Sequence, residues 1–243
     1  MLEEIDKKKK LIERKRPLSK NTLKSIRKKL FLEWTYNSNA IEGNTLTLSE
    51  TKVVLEDGIT IGGKTLKEHL EVVNHKEAIY YMEDIISNDE DLSERQIKNI
   101  HYLILKGIDD ENAGKYRREK VVISGAEHTP PDPFLVPEKM EALMNWYYEE
   151  GQELHTVKRA SMLHTDLVGI HPFVDGNGRT ARVLLNFELM KDGYPVVIIK
   201  NEDRVKYYET LDKAHTTGNY DDFIKLVAKS LNESLDLYLD LID

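Results

Sequence analysis

The 243-residue chain contains no cysteine, only two tryptophans and only seven prolines. Without cysteine there is no disulfide framework, no thiolate nucleophile and no thiolate-bound metal or iron–sulfur centre. No apolar run approaches the roughly 20 residues that a bilayer-spanning helix needs, and the opening MLEEIDKKKK is not a secretory signal. The expectation is a cytoplasmic protein with no membrane partner. Proline is both scarce and unevenly spread, since four of the seven fall in residues 107–137. The rest of the chain is therefore almost free of helix breakers. With 40% hydrophobic and 32% charged residues it reads as a globular protein of one large domain, or a domain with an extension.

The net charge of -8 averages two unlike parts. Residues 1–30 hold twelve Lys and Arg against four Asp and Glu, which leaves -16 for residues 31–243. A basic arm of this kind reads either as a solvated amphipathic helix or as a contact for nucleic acid or an anionic lipid surface. The acidic body argues against nucleic acid as the main partner.

Apolar residues recur at helical spacing nearly throughout. Leu23, Ile26, Leu30 and Trp34 form one stripe over 19–37. Thr47 and Glu50 have capping-box spacing ahead of a short helix that ends at Gly58. A long helix over 65–86 places Leu66, Leu70, Val73 and Met82 on its buried side. Ser93 and Gln96 repeat the capping spacing before a helix stopped by Gly107. Helices resume at 137–150, 156–169, 178–191, 202–216 and 220–241. The exception is 107–137, where Val121-Val122-Ile123 predicts a short strand or hairpin followed by a proline-braced loop. Trp34 and Trp146 read as core anchors. The fold class is all-α with one β excursion.

One segment carries chemistry: His171-Pro-Phe-Val-Asp-Gly-Asn-Gly-Arg-Thr-Ala-Arg182. It joins two helices through a glycine-rich loop, and Gly176-Asn177-Gly178 lets backbone N–H groups converge at a helix N-terminus, a ready anion site. Arg179 and Arg182, three apart, can face one polyanion. Asp175 offers a hard oxygen ligand suited to Mg²⁺. His171 supplies a titratable base beside them. The Walker and dinucleotide glycine patterns are both absent.

This segment resembles the HPFx(D/E)GNGRxxR motif of Fic-domain proteins at every fixed position. Ser38-Asn-Ala-Ile-Glu42-Gly43 is similar to that family's (S/T)xxxE(G/N) inhibitory motif, here upstream of the core. The resemblance spans about residues 35–230. It implies an N-terminal helical region over 1–91 carrying the inhibitory motif, a Fic core over 92–230 and a helix end at 231–243. The fold implied is a helical bundle with a β-hairpin flap.

The activity implied is transfer of AMP from ATP to a Ser, Thr or Tyr hydroxyl of a target protein. His171 would be the general base, and Asp175 would hold Mg²⁺ shared with the phosphates. Gly176, Asn177, Gly178 and Arg179, with Thr180 and Ala181 on the same turn, would cradle phosphate, and Arg182 would grip the γ-phosphate. Glu42, with Ser38 and Gly43 setting its place, would pair with Arg182 and inhibit. Val121, Val122, Ile123 and Ser124 look like the flap, with Tyr116 and Arg117 at its base. Tyr207, Tyr208 and His215 correspond to adenosine contacts, although the family has Asn where His215 stands. Glu42 could instead activate water for removal of AMP from a modified target. A third reading is a nucleic-acid-binding regulator working through the basic arm. His164 and Asp166 read as packed residues, not a metal pair, and His69, His75, His101 and His155 as structural. The resemblance leaves room for a homodimer.

Overall fold

A computed structural model describes residues 1–15 and 17–242. Its helices are α1 (Leu2–Arg14), α2 (Lys20–Ile41), α3 (Leu48–Asp57), α4 (Leu66–Ser87), α5 (Glu94–Leu105), α6 (Val136–Tyr148), α7 (Thr156–Ile170), α8 (Asn177–Lys191), α9 (Arg204–Thr217) and α10 (Asp221–Ile242). Their starts follow from local chemistry. Thr47 caps α3 and Thr65 caps α4, each with the glutamate three residues on returning the bond, and Ser93 caps α5. Gly58 closes α3 in the left-handed region, as its position predicts.

The organising element is α8. Every residue from Arg179 to Leu189 is buried, because α7, α4, α5 and α2 all pack around it. A helix apolar on one face only could not occupy that place; here polar side chains are buried too, and they must find partners inside. One apolar cluster joins α2, α4, α5, α6, α7 and α8, and a second joins α1, α7, α8, α9 and α10.

The basic arm is helical and docked. Ile5 and Ile12 of α1 are buried against α10, and Lys8 pairs with Asp236. Lys9 lies over the Tyr194 ring, and Asp6 accepts from the Tyr194 hydroxyl.

Several expectations shift. In α2, Ile26, Leu30 and Trp34 are buried but Leu23 is exposed, since the helix begins before the core does. In α4 the buried face is Val72, His75, Ala78, Ile79, Met82 and Ile85, whereas Leu66 stands exposed on the first turn. Trp146 is only partly buried and lines a surface cavity. Among the described residues there is no strand, so the predicted hairpin at Val121–Ser124 is not formed. Val122 is exposed, and a turn bonded from the Ala126 amide to the Ile123 carbonyl, with Gly125 at positive φ, reverses the chain. No strand among the described residues pairs with it to complete a ladder.

Candidate active site

The loop between α7 and α8 is held from within. His171 terminates α7 in the left-handed conformation, φ 50°, and its amide bonds to the Leu167 carbonyl. Asn177 Nδ2 donates to the Phe173 carbonyl while its Oδ1 accepts from the Phe173 amide, so this side chain staples the loop. His101 of α5 receives the Gly114 amide on Nδ1 and donates from Nε2 to the Asp175 carbonyl at 2.8 Å. Its ring stacks on Phe173 at 3.6 Å. These bonds fix its neutral tautomer, and burial, aided by Arg179, lowers its pKa to about 4.

Arg117 ties three segments together. Its Nε donates to the His171 carbonyl, Nη1 to the Glu119 carbonyl and Nη2 to the Pro131 carbonyl. The base of the 118–131 excursion and the His171 loop thus share one guanidinium. Further along, the amides of Glu127 and His128 both donate to Asp212 of α9.

Arg182, almost fully buried, is the hub. Nε donates to Ser38 Oγ at 3.0 Å, Nη2 to the Ser38 carbonyl and to Glu42 Oε1 at 2.7 Å, and Nη1 to the Tyr207 hydroxyl. The Tyr207 hydroxyl in turn shares a hydrogen bond with Nε2 of buried His164. Gly43, φ 99°, ends α2 just beyond Glu42, as expected of a glycine after a helix. A side-chain carbon on Gly178 would collide with Glu42 Oε1, so the bare backbone of α8 makes room for that carboxylate.

Glu42, Ile123, Ser124, His171, Gly178, Tyr207, Tyr208 and His215 line one cleft of about 520 Å³. Tyr208 faces it, while Tyr207 is buried and reaches it only at its edge. His215 donates to the Thr165 carbonyl, and its ring takes the space that Gly169 leaves for want of a Cβ. Val121 and Val122 lie outside the lining. Thr180 and Ala181 are fully buried and lie outside the cleft lining.

Asp175 and Arg179 form an adjoining group. The two arginines of the motif do not meet one partner: Arg179 goes to Glu71 and Asp175, each at 3.3 Å, and Arg182 to Glu42. Burial acts to raise the Asp175 carboxyl, but Arg179, the Gly176 amide and Lys67 outweigh it and hold the group below its ordinary value. The side chain is half-exposed. For His171, burial lowers the pKa, a bond to the Val168 backbone opposes this, and Arg117 adds to the lowering. The imidazole is thus neutral at pH 7 and able to accept a proton.

Sequence reasoning missed Glu71 and the role of His101. Glu71 is a buried acid on α4 that pairs with Arg179 and accepts from Asn44. His101 is read correctly as structural, but its grip on the loop is a tertiary fact. His164 is fully buried, whereas Asp166 is only partly buried and lines a surface cavity. No cluster of three or more His, Cys, Asp or Glu suited to a metal occurs among the described residues.

Fold and site together define an α-helical domain whose glycine-rich loop leads into a buried helix, with a histidine at the cleft beside it. The Fic/DOC family matches residues 91–189. The chain is 39% identical over 242 residues to the protein adenylyltransferase Fic of Nematostella vectensis, covering 98% of this chain and 56% of that one. It superimposes with a TM-score of 0.88 on Fic-1 of C. elegans (31% identity, 97% of this chain, 71% of that one). A Fic-domain signalling protein of Bacteroides thetaiotaomicron also gives 0.88, at 31% identity over 99% of this chain and 96% of the other. The chain belongs to the Fic/DOC family. It spans about half the length of the curated relatives it matches. No described helix is long and apolar enough to cross a membrane.

Proposed function

We propose that the protein transfers AMP from ATP to a hydroxyl of a target protein and that Glu42 restrains this reaction by occupying Arg182. Relatives named protein adenylyltransferase support the reaction class. The cleft volume suits a nucleotide. In the reaction the target oxygen forms the new bond to the α-phosphorus while the bond to the pyrophosphate oxygen breaks. The hydroxyl proton goes to neutral His171, and the N-terminal amides of α8 face the phosphate charge.

The donor set suits Mg²⁺. Asp175 is an ionised, half-exposed carboxylate whose Oδ1 is bound to the Gly176 amide and Arg179, while Oδ2 makes no bond among the described residues. A lone protein carboxylate is the usual share for Mg²⁺ that otherwise binds phosphate and water. Bound there, the ion would offset phosphate charge.

The observation that carries the proposal is the 2.7 Å contact of Glu42 with Arg182 beside Gly178. Arg182 has its N–H groups committed to Ser38, Tyr207 and Glu42, and Glu42 is the partner that a γ-phosphate must displace. With α-phosphate-labelled ATP, Glu42→Gly is expected to label protein at least about tenfold more than wild type. His171→Ala should label none. Equal labelling by wild type and Glu42→Gly would refute the restraint.

A second reading rests on Glu42 being partly exposed in the same cleft as His171. There it would activate water for removal of AMP, with His171 returning a proton to the departing hydroxyl. Glu42→Gly would then abolish removal while raising transfer.

A further inference from the structure

A second cavity, of about 550 Å³, lies beside the cleft and shares His215 as a common wall. The segment after Arg117 borders both: Ile123 to Ala126 line the cleft, and His128 and Thr129 line the second cavity. Inside the latter are Asp166 of α7, Trp146 of α6 and Tyr220, with exposed Lys139 on the rim. Asp166 Oδ1 accepts from the Tyr220 hydroxyl at 2.6 Å, and Oδ2 makes no hydrogen bond or ion pair among the described residues.

This is a carboxylate in an aromatic-lined cavity with one neutral donor and no ion pair among the described residues, the lysine of the same lining, Lys139, standing on the rim. Burial raises its pKa to about 6, against the smaller effect of the Tyr220 bond. Tyr and Trp rings in one lining with a carboxylate are the chemistry that holds an ammonium or guanidinium group.

We infer that this cavity is a specificity pocket for a Lys or Arg side chain of the target protein, close in sequence to the hydroxyl that is modified. The inference rests on the transferase reading for its occupant, and on the cavity alone for its chemistry. Asp166 lies on α7 five residues before His171, which caps that helix, and the two are offset both along the axis, by about 7 Å, and around it. The cleft and the cavity share His215, so a target segment lying along residues 123–131 would set its basic residue a few positions from the hydroxyl seated at His171. Asp166 acts on recognition and touches no reacting atom.

Two measurements test this. The first is independent of any transfer. N-acetyl-arginine amide and its uncharged isostere N-acetyl-citrulline amide are titrated into the full chain, with Trp146 fluorescence as the readout in a Trp34→Phe background. The arginine compound should bind and the citrulline compound should bind about tenfold more weakly or not at all. Asp166→Asn, which keeps the acceptor for Tyr220, should weaken the arginine compound to the level of citrulline. Lys139→Ala, which removes a like charge from the rim, should tighten it. Equal binding of the two compounds, or indifference to Asp166→Asn, overturns the proposal.

The second uses the Glu42→Gly chain with serine peptides carrying one arginine at each position from four before to four after the serine. Transfer should peak at one separation of a few residues, and Asp166→Asn should raise KM about tenfold at that peptide with kcat unchanged. A flat positional profile, or the same KM in Asp166→Asn, refutes the specificity role. If no peptide or protein is labelled at all while the arginine compound still binds through Asp166, the transferase reading fails and the cation site stands.

Discussion

The carboxylate of Glu42 occupies the space that a side chain on Gly178 would need, so the end of α2 and the first turn of α8 fit only because residue 178 has no Cβ. The obstacle is the end of a flexible side chain and not backbone, which gives the contact a clear experimental handle.

Gly178→Ala is expected to fold, since residue 178 is helical and alanine favours helix. It should push Glu42 away from Arg182. In urea unfolding, Gly178→Ala should destabilise more in the presence of Glu42 than in Glu42→Gly, with a coupling energy of about 1 kcal/mol in the double-mutant cycle. Additive effects would show that the two residues do not compete for space.

The acid limb of activity should lie below the ordinary histidine range. Burial, with Arg117, lowers the pKa of His171, and the Val168 bond only partly opposes it. The base is therefore still unprotonated when an exposed histidine would already be charged. The pH profile of kcat/KM for Glu42→Gly should fall on the acid side with an apparent pKa under 6.5. Arg117→Lys would remove part of the clamp on the His171 loop. A limb at or above 6.5 in Glu42→Gly contradicts this.

Stability should decline as pH falls below 6.5. Burial lowers His75 to about 3, His101 to about 4 and His164 well below its usual value. The unfolded chain takes up three protons near 6.5, whereas the fold takes up none until about 4, so acid favours unfolding. Asp166, raised to about 6 by burial, works in the opposite sense and offsets part of the loss. The net fall between pH 6.5 and 5 should be on the order of 2–4 kcal/mol, read from urea midpoints. Unchanged or rising stability over that interval would be inconsistent with neutral buried histidines.

The sequence was legible wherever the chemistry is local. His171 to Arg182 encodes its loop and helix start within twelve residues, and glycine at 176 and 178 announces the bare backbone. Glu42 and Arg182 are 140 residues apart, yet both belong to short motifs that name their partner. What stayed hidden depends on distance without a motif. Glu71 reaches Arg179 from another helix, and His101 supports Asp175 across 74 residues, with nothing in their neighbours to mark them. The β-branched run at 121–123 predicts a strand, and the family resemblance extends it to a flap through Ser124. Propensity favours an extended backbone, but a ladder needs a second edge, and none is formed among the described residues. Leu23 and Leu66 continue an apolar rhythm past the point where a core exists to receive it.

The docking of α1 on α10 sets a kinetic problem for the whole chain. Lys8 meets Asp236 across 228 residues, so this clasp closes nearly the longest loop the molecule offers. Closing it early would cost loop entropy with little packing to offset it, whereas α7 and α8 meet through one short turn. The hairpin of α7 and α8 is thus the natural nucleus, and α1 the last helix to seat. Amide exchange should follow the same order, with Ile5 and Ile12 opening to solvent well before the interior of α8. The loop from His171 to Gly176 therefore resides in the part of the fold expected to form first and open last.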